Sequence, residues 1–210
     1  MNIIEFNNIT KAFGDLLAND DISFTIRKNS VHCIVGENGA GKSTLMKILF
    51  GVYKQDKGIV KINGSEVNFN SPLDAIKCKI GMLYQHFMLI DEFTVLENVI
   101  LGNEITKKNR IDFGKSKTAL MEFIDKYNLD LSLDKKISEL SISEQQKVEI
   151  LKLLYRDSDI IIFDEPTAVL SPVEIIEFYK IITQFKIEGK TIILITHKLN
   201  EVKEISDFVT

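Results

Sequence analysis

The stretch Gly36-Glu37-Asn38-Gly39-Ala40-Gly41-Lys42-Ser43-Thr44 decides the reading of this chain. It matches the pattern GxxxxGK[ST], and its surroundings suit that pattern. Val31–Val35 before it is β-branched and apolar and reads as a buried strand. Ser43–Phe50 after it carries Leu45, Ile48 and Leu49 at helical spacing. Glycines between a strand and a helix let the backbone curl so that successive N–H groups face inward, toward phosphate oxygens. In such a loop Lys42 neutralises the β- and γ-phosphates, and Ser43 offers a hydroxyl to Mg²⁺. A glycine-rich turn with a surface lysine is the plainer alternative, and the flanking strand and helix weigh against it.

Outward from that loop, the first third alternates short β-rich runs with turns. Ile3–Phe6, Ile22–Ile26 and Ile59–Ile62 read as strands, and Asn63-Gly64 marks a hairpin. Ser71-Pro72 opens a helix with Ser as N-cap. Ile80–Tyr84 reads as a further strand. From Thr94 to Ser158 the texture is helical, with capping boxes at Thr94–Glu97 and Ser141–Glu144 and a helix over Ala119–Tyr127. Lys107–Lys117 reads as a basic exposed loop. The last third returns to alternation: strand Asp159–Phe163, helix Pro172–Lys186 and strand Thr191–Thr196. Buried strands separated by helices argue for parallel pairing.

Two of those strands end in chemistry. Ile160-Ile161-Ile162-Phe163 leads into Asp164-Glu165, placing two carboxylates at the strand edge where open α/β sheets bind ligands. Asp164 can hold Mg²⁺ through water, and Glu165 can orient or deprotonate an attacking water. Solvated acids at a strand end are the alternative. Ile192–Ile195 ends at Thr196-His197, where an imidazole can stabilise a transferring phosphoryl group or serve only as a surface residue. Gln85 follows Ile80–Tyr84 and is within reach of a metal or water at the same edge, though alone it says little.

Composition bounds the rest. A chain of 210 residues has room for one large domain with a subdomain. With 45% apolar and 27% charged residues it reads as globular rather than disordered. A net charge of −4 supplies no field for nucleic acid. No apolar run reaches the roughly 18 residues that span a bilayer. The start, MNIIEFNN, lacks the basic and apolar regions of a secretory signal. Cys33 and Cys78 form no CxxC, which argues against a disulfide framework or structural zinc and for a reducing compartment.

Taken in order, these segments resemble the ATP-binding cassette (ABC) ATPase domain across the whole chain. Gly36–Thr44 resembles its Walker A, Gln85 its Q-loop and Leu140-Ser141-Ile142-Ser143-Glu144-Gln145-Gln146 its signature. Asp164-Glu165-Pro166-Thr167 resembles the end of Walker B and His197 the switch histidine. Phe13 falls where the family stacks an aromatic ring on adenine; a core phenylalanine of the first hairpin is the other reading. The resemblance implies a P-loop NTPase of α/β class: a mixed-sheet core, an antiparallel β subdomain, and a helical subdomain inserted between Q-loop and signature. It places the core in 1–84 and 159–210 and the helical unit in 85–158.

Gly81–Leu89, Thr94–Val99, Glu144–Lys152 and Glu165–Pro172 are similar to the first cassette of simple-sugar and nucleoside importer ATPases, nearer the nucleoside branch. The resemblance implies ATP and Mg²⁺ as ligands, with Lys42, Gln85, Glu165 and His197 catalytic and Ser43, Gln85 and Asp164 on the metal. Ser141, Ser143 and Glu144 face the nucleotide of a second cassette. Implied partners are that cassette, transmembrane permease subunits and, indirectly, an extracellular solute-binding protein, with no nucleic acid; the implied place is the cytoplasmic face of the membrane. Family cassettes continue past the switch histidine, so a fragment truncated at its C-terminal end is expected. Two departures stand out. Ser143 occupies a position where the signature has Gly, adding a Cβ and a hydroxyl, and Ser171 stands near the usual D-loop Asp. An ABC-type ATPase of translation or DNA repair is the rival reading; it calls for a coiled-coil insertion or basic arm, and neither is found. A regulatory nucleotide-binding module without turnover is the other: the altered signature favours it, Glu165 and His197 oppose it.

Overall fold

The chain opens with a long antiparallel hairpin, Asn2–Phe13 (β1) and Leu16–Arg27 (β2), in the computed structural model, which describes residues 1–210. Val31–Val35 (β3) leads through the glycine loop into Lys42–Leu49 (α1). Lys57–Ile62 (β4), Ser65–Val67 (β5), Pro72–Lys77 (α2) and Ile80–Leu83 (β6) follow. Next come Val95–Ile100 (α3), the two-residue strands Thr106–Lys107 (β7) and Arg110–Ile111 (β8), Phe113–Tyr127 (α4) and Ile142–Tyr155 (α5). Ile160–Asp164 (β9), Pro172–Ile187 (α6), Thr191–Thr196 (β10), Leu199–Ile205 (α7) and Phe208–Val209 (β11) complete the chain.

Strand directions are segregated into two main sheets. One is antiparallel, ordered β2-β1-β4-β5; the other is wholly parallel, ordered β11-β3-β10-β9-β6. The parallel sheet is buried on both faces, as its unbroken apolar runs require. Alternation along β9 shows it: Ile160 and Ile162 point into a core shared with the antiparallel sheet and α1, while Ile161 and Phe163 face a core shared with α5 and α6. Each face thus covers apolar surface worth roughly 25 cal/mol per Å². The predicted Asn63-Gly64 turn joins β4 to β5 with both residues at positive φ, 50° and 78°, the type I′ geometry that matches strand twist.

The structure departs from the sequence reading in places. Strands β1 and β2 are far longer than Ile3–Phe6 and Ile22–Ile26. Polar side chains carry the extension: the Ser23 hydroxyl accepts from the Asn8 N–H at 2.8 Å, and Asn8 donates to Asp21 at 2.8 Å. Lys107–Lys117 is not a loop throughout. Its first part is the β7–β8 hairpin, turning at Lys108-Asn109, and Phe113–Lys117 already belongs to α4. Asp112 starts that helix early by accepting the Lys115 N–H at 3.0 Å, which outweighs the weak helix propensity of Gly114. Asp164 lies inside β9 rather than after it.

Candidate functional site

Parallel register brings the candidate residues to one edge. Thr196 pairs with Val35 and Ile195 with Asp164, so the C-terminal ends of β3, β9 and β10 release the glycine loop, Glu165 and His197 side by side. Helix α1 begins at Gly41, whose φ is 84° and which offers no side-chain cap. Helices α3, α5 and α6 each start with a complete capping box. Like α2 and α7, α1 lacks the side-chain acceptor that α3, α5 and α6 supply themselves, so its first N–H groups remain free for an anion. Strand β2 braces this turn. The Asn19 amide donates to the Gly41 carbonyl at 3.2 Å, and a Cβ on Gly41 would lie 2.1 Å from the Ala18 oxygen. Lys42 curls back into the loop, its ammonium donating to the carbonyls of Gly36 at 2.8 Å and Glu37 at 2.7 Å while 8% exposed. A buried cation met only by neutral carbonyls fits an anionic ligand.

Beside the loop, the Ser43 hydroxyl donates to Asp164 at 2.8 Å. Burial pushes the Asp164 carboxyl up from its ordinary range, and neighbouring Glu165 adds to this. The Ser43 bond, Lys47 and Lys42 oppose it. A hydroxyl and a buried, undercompensated carboxylate are hard oxygen donors, and Mg²⁺ commonly takes only one or two such protein ligands beside phosphate oxygens. Glu165 holds the left-handed conformation at φ 49°, with its N–H on the Ile195 carbonyl at 3.1 Å. Its Oε1 lies 3.4 Å from His197 Nδ1. Lys42, Ser43, Asp164, Glu165 and His197 are thus assembled.

The other expected residues stand apart from this group. Gln85, two residues beyond β6, is exposed and makes no hydrogen bond to Ser43 or Asp164. Phe13 is 41% exposed at the end of β1, edge-on to Tyr53 at 5.1 Å, so it is not a core residue of the hairpin. Ser141, Ser143 and Glu144 lie in the first turn of α5. There Glu144 accepts the Ser141 N–H at 2.8 Å, and the Ser141 hydroxyl accepts the Glu144 N–H at 3.3 Å. Those backbone and hydroxyl bonds hold the Glu144 carboxyl below its ordinary range. Residues that the sequence did not mark as site residues, Gln146 and Thr167 being only members of quoted motifs, join the site. Asn19 braces the loop, buried Gln146 donates to the Pro166 carbonyl at 3.0 Å, and Thr167, Lys198 and Glu201 meet behind Glu165 and His197. The local hint for Glu201 is its spacing of three from Lys198, the N-cap residue of α7. Asn19 carries no local hint, because its partner is 22 residues away.

Comparison with known proteins agrees with this geometry. Residues 19–168 match the family model described as ABC transporter. The chain is 49% identical over 208 residues to the nucleoside import ATP-binding protein NupA of Lactococcus lactis subsp. cremoris, covering 99% of this chain and 41% of that protein. It is 50% identical over 208 residues to the guanosine import ATP-binding protein NupO of Bacillus subtilis, covering 99% and 41%. The chain spans about two fifths of the length of these relatives. A crystal structure of a nucleotide-free ATP-binding cassette from an ABC transporter superposes with a TM-score of 0.86 at 27% identity, covering 100% of this chain and 87% of that one. The glycine loop, the strand-end carboxylates and these likenesses agree: the chain belongs to the ABC transporter family as an ATP-binding cassette.

Proposed function

We propose that this chain is the first ATP-hydrolysing cassette of an importer of small solutes, acting at the cytoplasmic face of a membrane. The observation that carries the reading is the uncapped start of α1 with the Lys42 ammonium folded into it, beside the Ser43–Asp164 and Glu165–His197 pairs. In this reading the N–H groups of residues 36–44 and Lys42 bind the β- and γ-phosphates, with Lys42 exchanging the Gly36 and Glu37 carbonyls for phosphate oxygens. Phe13 and neighbouring Tyr53 offer an aromatic surface to adenine. Ser43 and Asp164, with Gln85 at the same sheet edge, would hold Mg²⁺, which would supply charge neutralisation to the phosphates. Glu165 accepts a hydrogen bond from the attacking water and aligns it, and His197 donates toward the transferring phosphoryl group.

Residues Ser141, Ser143 and Glu144 serve the nucleotide of a second cassette, and the cassette pair acts with transmembrane permease subunits and an extracellular solute-binding protein. Differential contact of the permeases with the ATP and post-hydrolysis states drives alternating access. A nucleoside is the solute we favour, because NupA and NupO carry nucleoside and guanosine import in their names. A simple sugar is the second reading, supported by 50% identity over 215 residues to a putative carbohydrate transport ATP-binding protein of Mycoplasma pneumoniae. No helix is long and apolar enough to cross a membrane.

The test is thermal unfolding with and without Mg-ATP. A ligand present at about 100 times its dissociation constant stabilises by roughly 2.7 kcal/mol. Wild type should show that shift, and Lys42→Ala should lose most of it while remaining folded. A folded wild-type chain that millimolar Mg-ATP does not stabilise would remove the basis of the assignment.

A further inference from the structure

We propose that Thr167, Lys198 and Glu201 form a positioning unit that fixes the Glu165 carboxylate against His197; this rests on the ATPase reading above. Glu201 sits in the first turn of α7, only 3% exposed. A carboxylate so deep in the protein is costly unless it is paired. Its Oε1 accepts the Thr167 hydroxyl and lies 3.6 Å from the Lys198 ammonium, while Oε2 has no protein partner. Lys198 in turn donates to the Thr167 carbonyl at 2.9 Å and to its hydroxyl at 3.2 Å. The hydroxyl and carbonyl of Thr167 are therefore gripped by residues that follow His197.

The consequence lies two residues upstream. Glu165 holds φ 49°, a conformation that a non-glycine residue keeps only when its surroundings impose it. On its N-terminal side the backbone is tied to Ile195 at 3.1 Å. On its C-terminal side Pro166 is rigid, and its carbonyl is held by Gln146. The Glu165 carbonyl accepts the Ala168 N–H at 3.2 Å, and Thr167, between Pro166 and Ala168, adds a side-chain anchor to that turn. The same unit brackets His197: the Thr196 hydroxyl accepts the Lys198 N–H at 3.0 Å, which closes the turn. The Glu165–His197 approach of 3.4 Å is thus set from behind, by groups that hydrogen-bond neither to the glycine loop nor to the Glu165 and His197 side chains. Well-packed apolar side chains would fill such a place at no loss of stability. An ionic cluster there supplies directional bonds, and those are what aim a carboxylate.

Because none of the three side chains hydrogen-bonds or ion-pairs with residues 36–44, the unit should govern turnover and leave nucleotide affinity alone. A displacement of about 1 Å at a reacting group costs on the order of 100-fold in rate. The experiment is steady-state ATPase of the assembled transporter carrying Thr167→Val, Thr167→Ser or Glu201→Gln. We expect Thr167→Val to lower kcat by about 10- to 100-fold with the KM for Mg-ATP within about twofold of wild type. Thr167→Ser, which keeps the hydroxyl, should recover most of the lost kcat. If Glu201→Gln does not accumulate as folded protein, the two Thr167 variants carry the test, since Val and Thr are similar in shape. Wild-type kcat in Thr167→Val, or failure of Ser to rescue, overturns the proposal. So does a rise in KM that accounts for the loss. Absence of Mg-ATP binding or turnover in wild type instead overturns the ATPase reading on which it stands.

Discussion

Replacing Gly41 and Gly39 separately by Ala isolates the brace between β2 and the glycine loop. Both residues sit at nearly the same φ, 84° and 85°. Each substitution therefore incurs the left-handed cost of an L-residue, roughly 1–2 kcal/mol, partly offset by about 0.4–1 kcal/mol from a stiffer unfolded chain. Their surroundings differ. A Cβ on Gly39 meets nothing within 4 Å, whereas one on Gly41 lies 2.1 Å from the Ala18 oxygen and 2.7 Å from the Asn19 amide nitrogen. Ala18 presents backbone, which cannot swing aside as a side-chain end can. Forcing such overlap costs typically about 1–3 kcal/mol, and displacing the Asn19–Gly41 bond adds about 1 kcal/mol. Gly41→Ala should thus be destabilised by about 2–5 kcal/mol and Gly39→Ala by about 0–1.6 kcal/mol. For a chain of this size about 1 kcal/mol moves Tm by roughly 2–4 °C. Calorimetry or denaturant titration of the nucleotide-free chain separates the two. Equal losses would mean that β2 does not press on the loop, and the reasoning about Asn19 would fail with it.

Two other outcomes follow from the buried polar groups. Burial raises the Asp164 carboxyl, so its ionised form disfavours the folded state; stability falls as pH rises from the ordinary aspartate range through the raised folded value. Asp164→Asn, which still accepts from Ser43, should therefore exceed wild type in stability at neutral pH without Mg²⁺. The advantage should shrink below the ordinary aspartate range, and any stabilisation that depends on Mg²⁺ should disappear. Denaturant melts across pH check this, and a pH-independent difference would contradict it. Gln146→Leu leaves the Pro166 carbonyl without its donor and should cost about 1–3 kcal/mol, read as a lower denaturant midpoint at unchanged m-value. A neutral outcome would show that α5 does not hold the loop after Glu165.

The amino-acid sequence by itself determined most of what rests on neighbours in the chain. The apolar runs Ile160–Phe163 and Ile192–Ile195 could bury only as central strands. The Thr94 and Ser141 capping boxes formed where the Ser/Thr-to-Glu spacing put them. Gly36–Thr44 between strand and helix marked the phosphate loop, because its backbone requirement is local. Tertiary structure decided what depends on strand order and register. Ser43 finds Asp164 across 121 residues, Asn19 finds Gly41 across 22, and Thr167 finds Glu201 across 34. A polar side chain in sequence announces that it needs a partner but not which one. The apolar runs alone did not show the strands segregating into two sheets, since such a run suits either pairing direction; the helices between the later strands argued for parallel pairing, and the family resemblance implied the antiparallel subdomain. The early start of α4 was missed for a smaller reason. One Asp112 carboxylate on the Lys115 N–H outweighed a glycine and a basic run that read as loop. Backbone curl and hydrophobic alternation are short-range properties written residue by residue. Which carboxylate lies beside which hydroxyl is settled only when separate strands end at the same sheet edge.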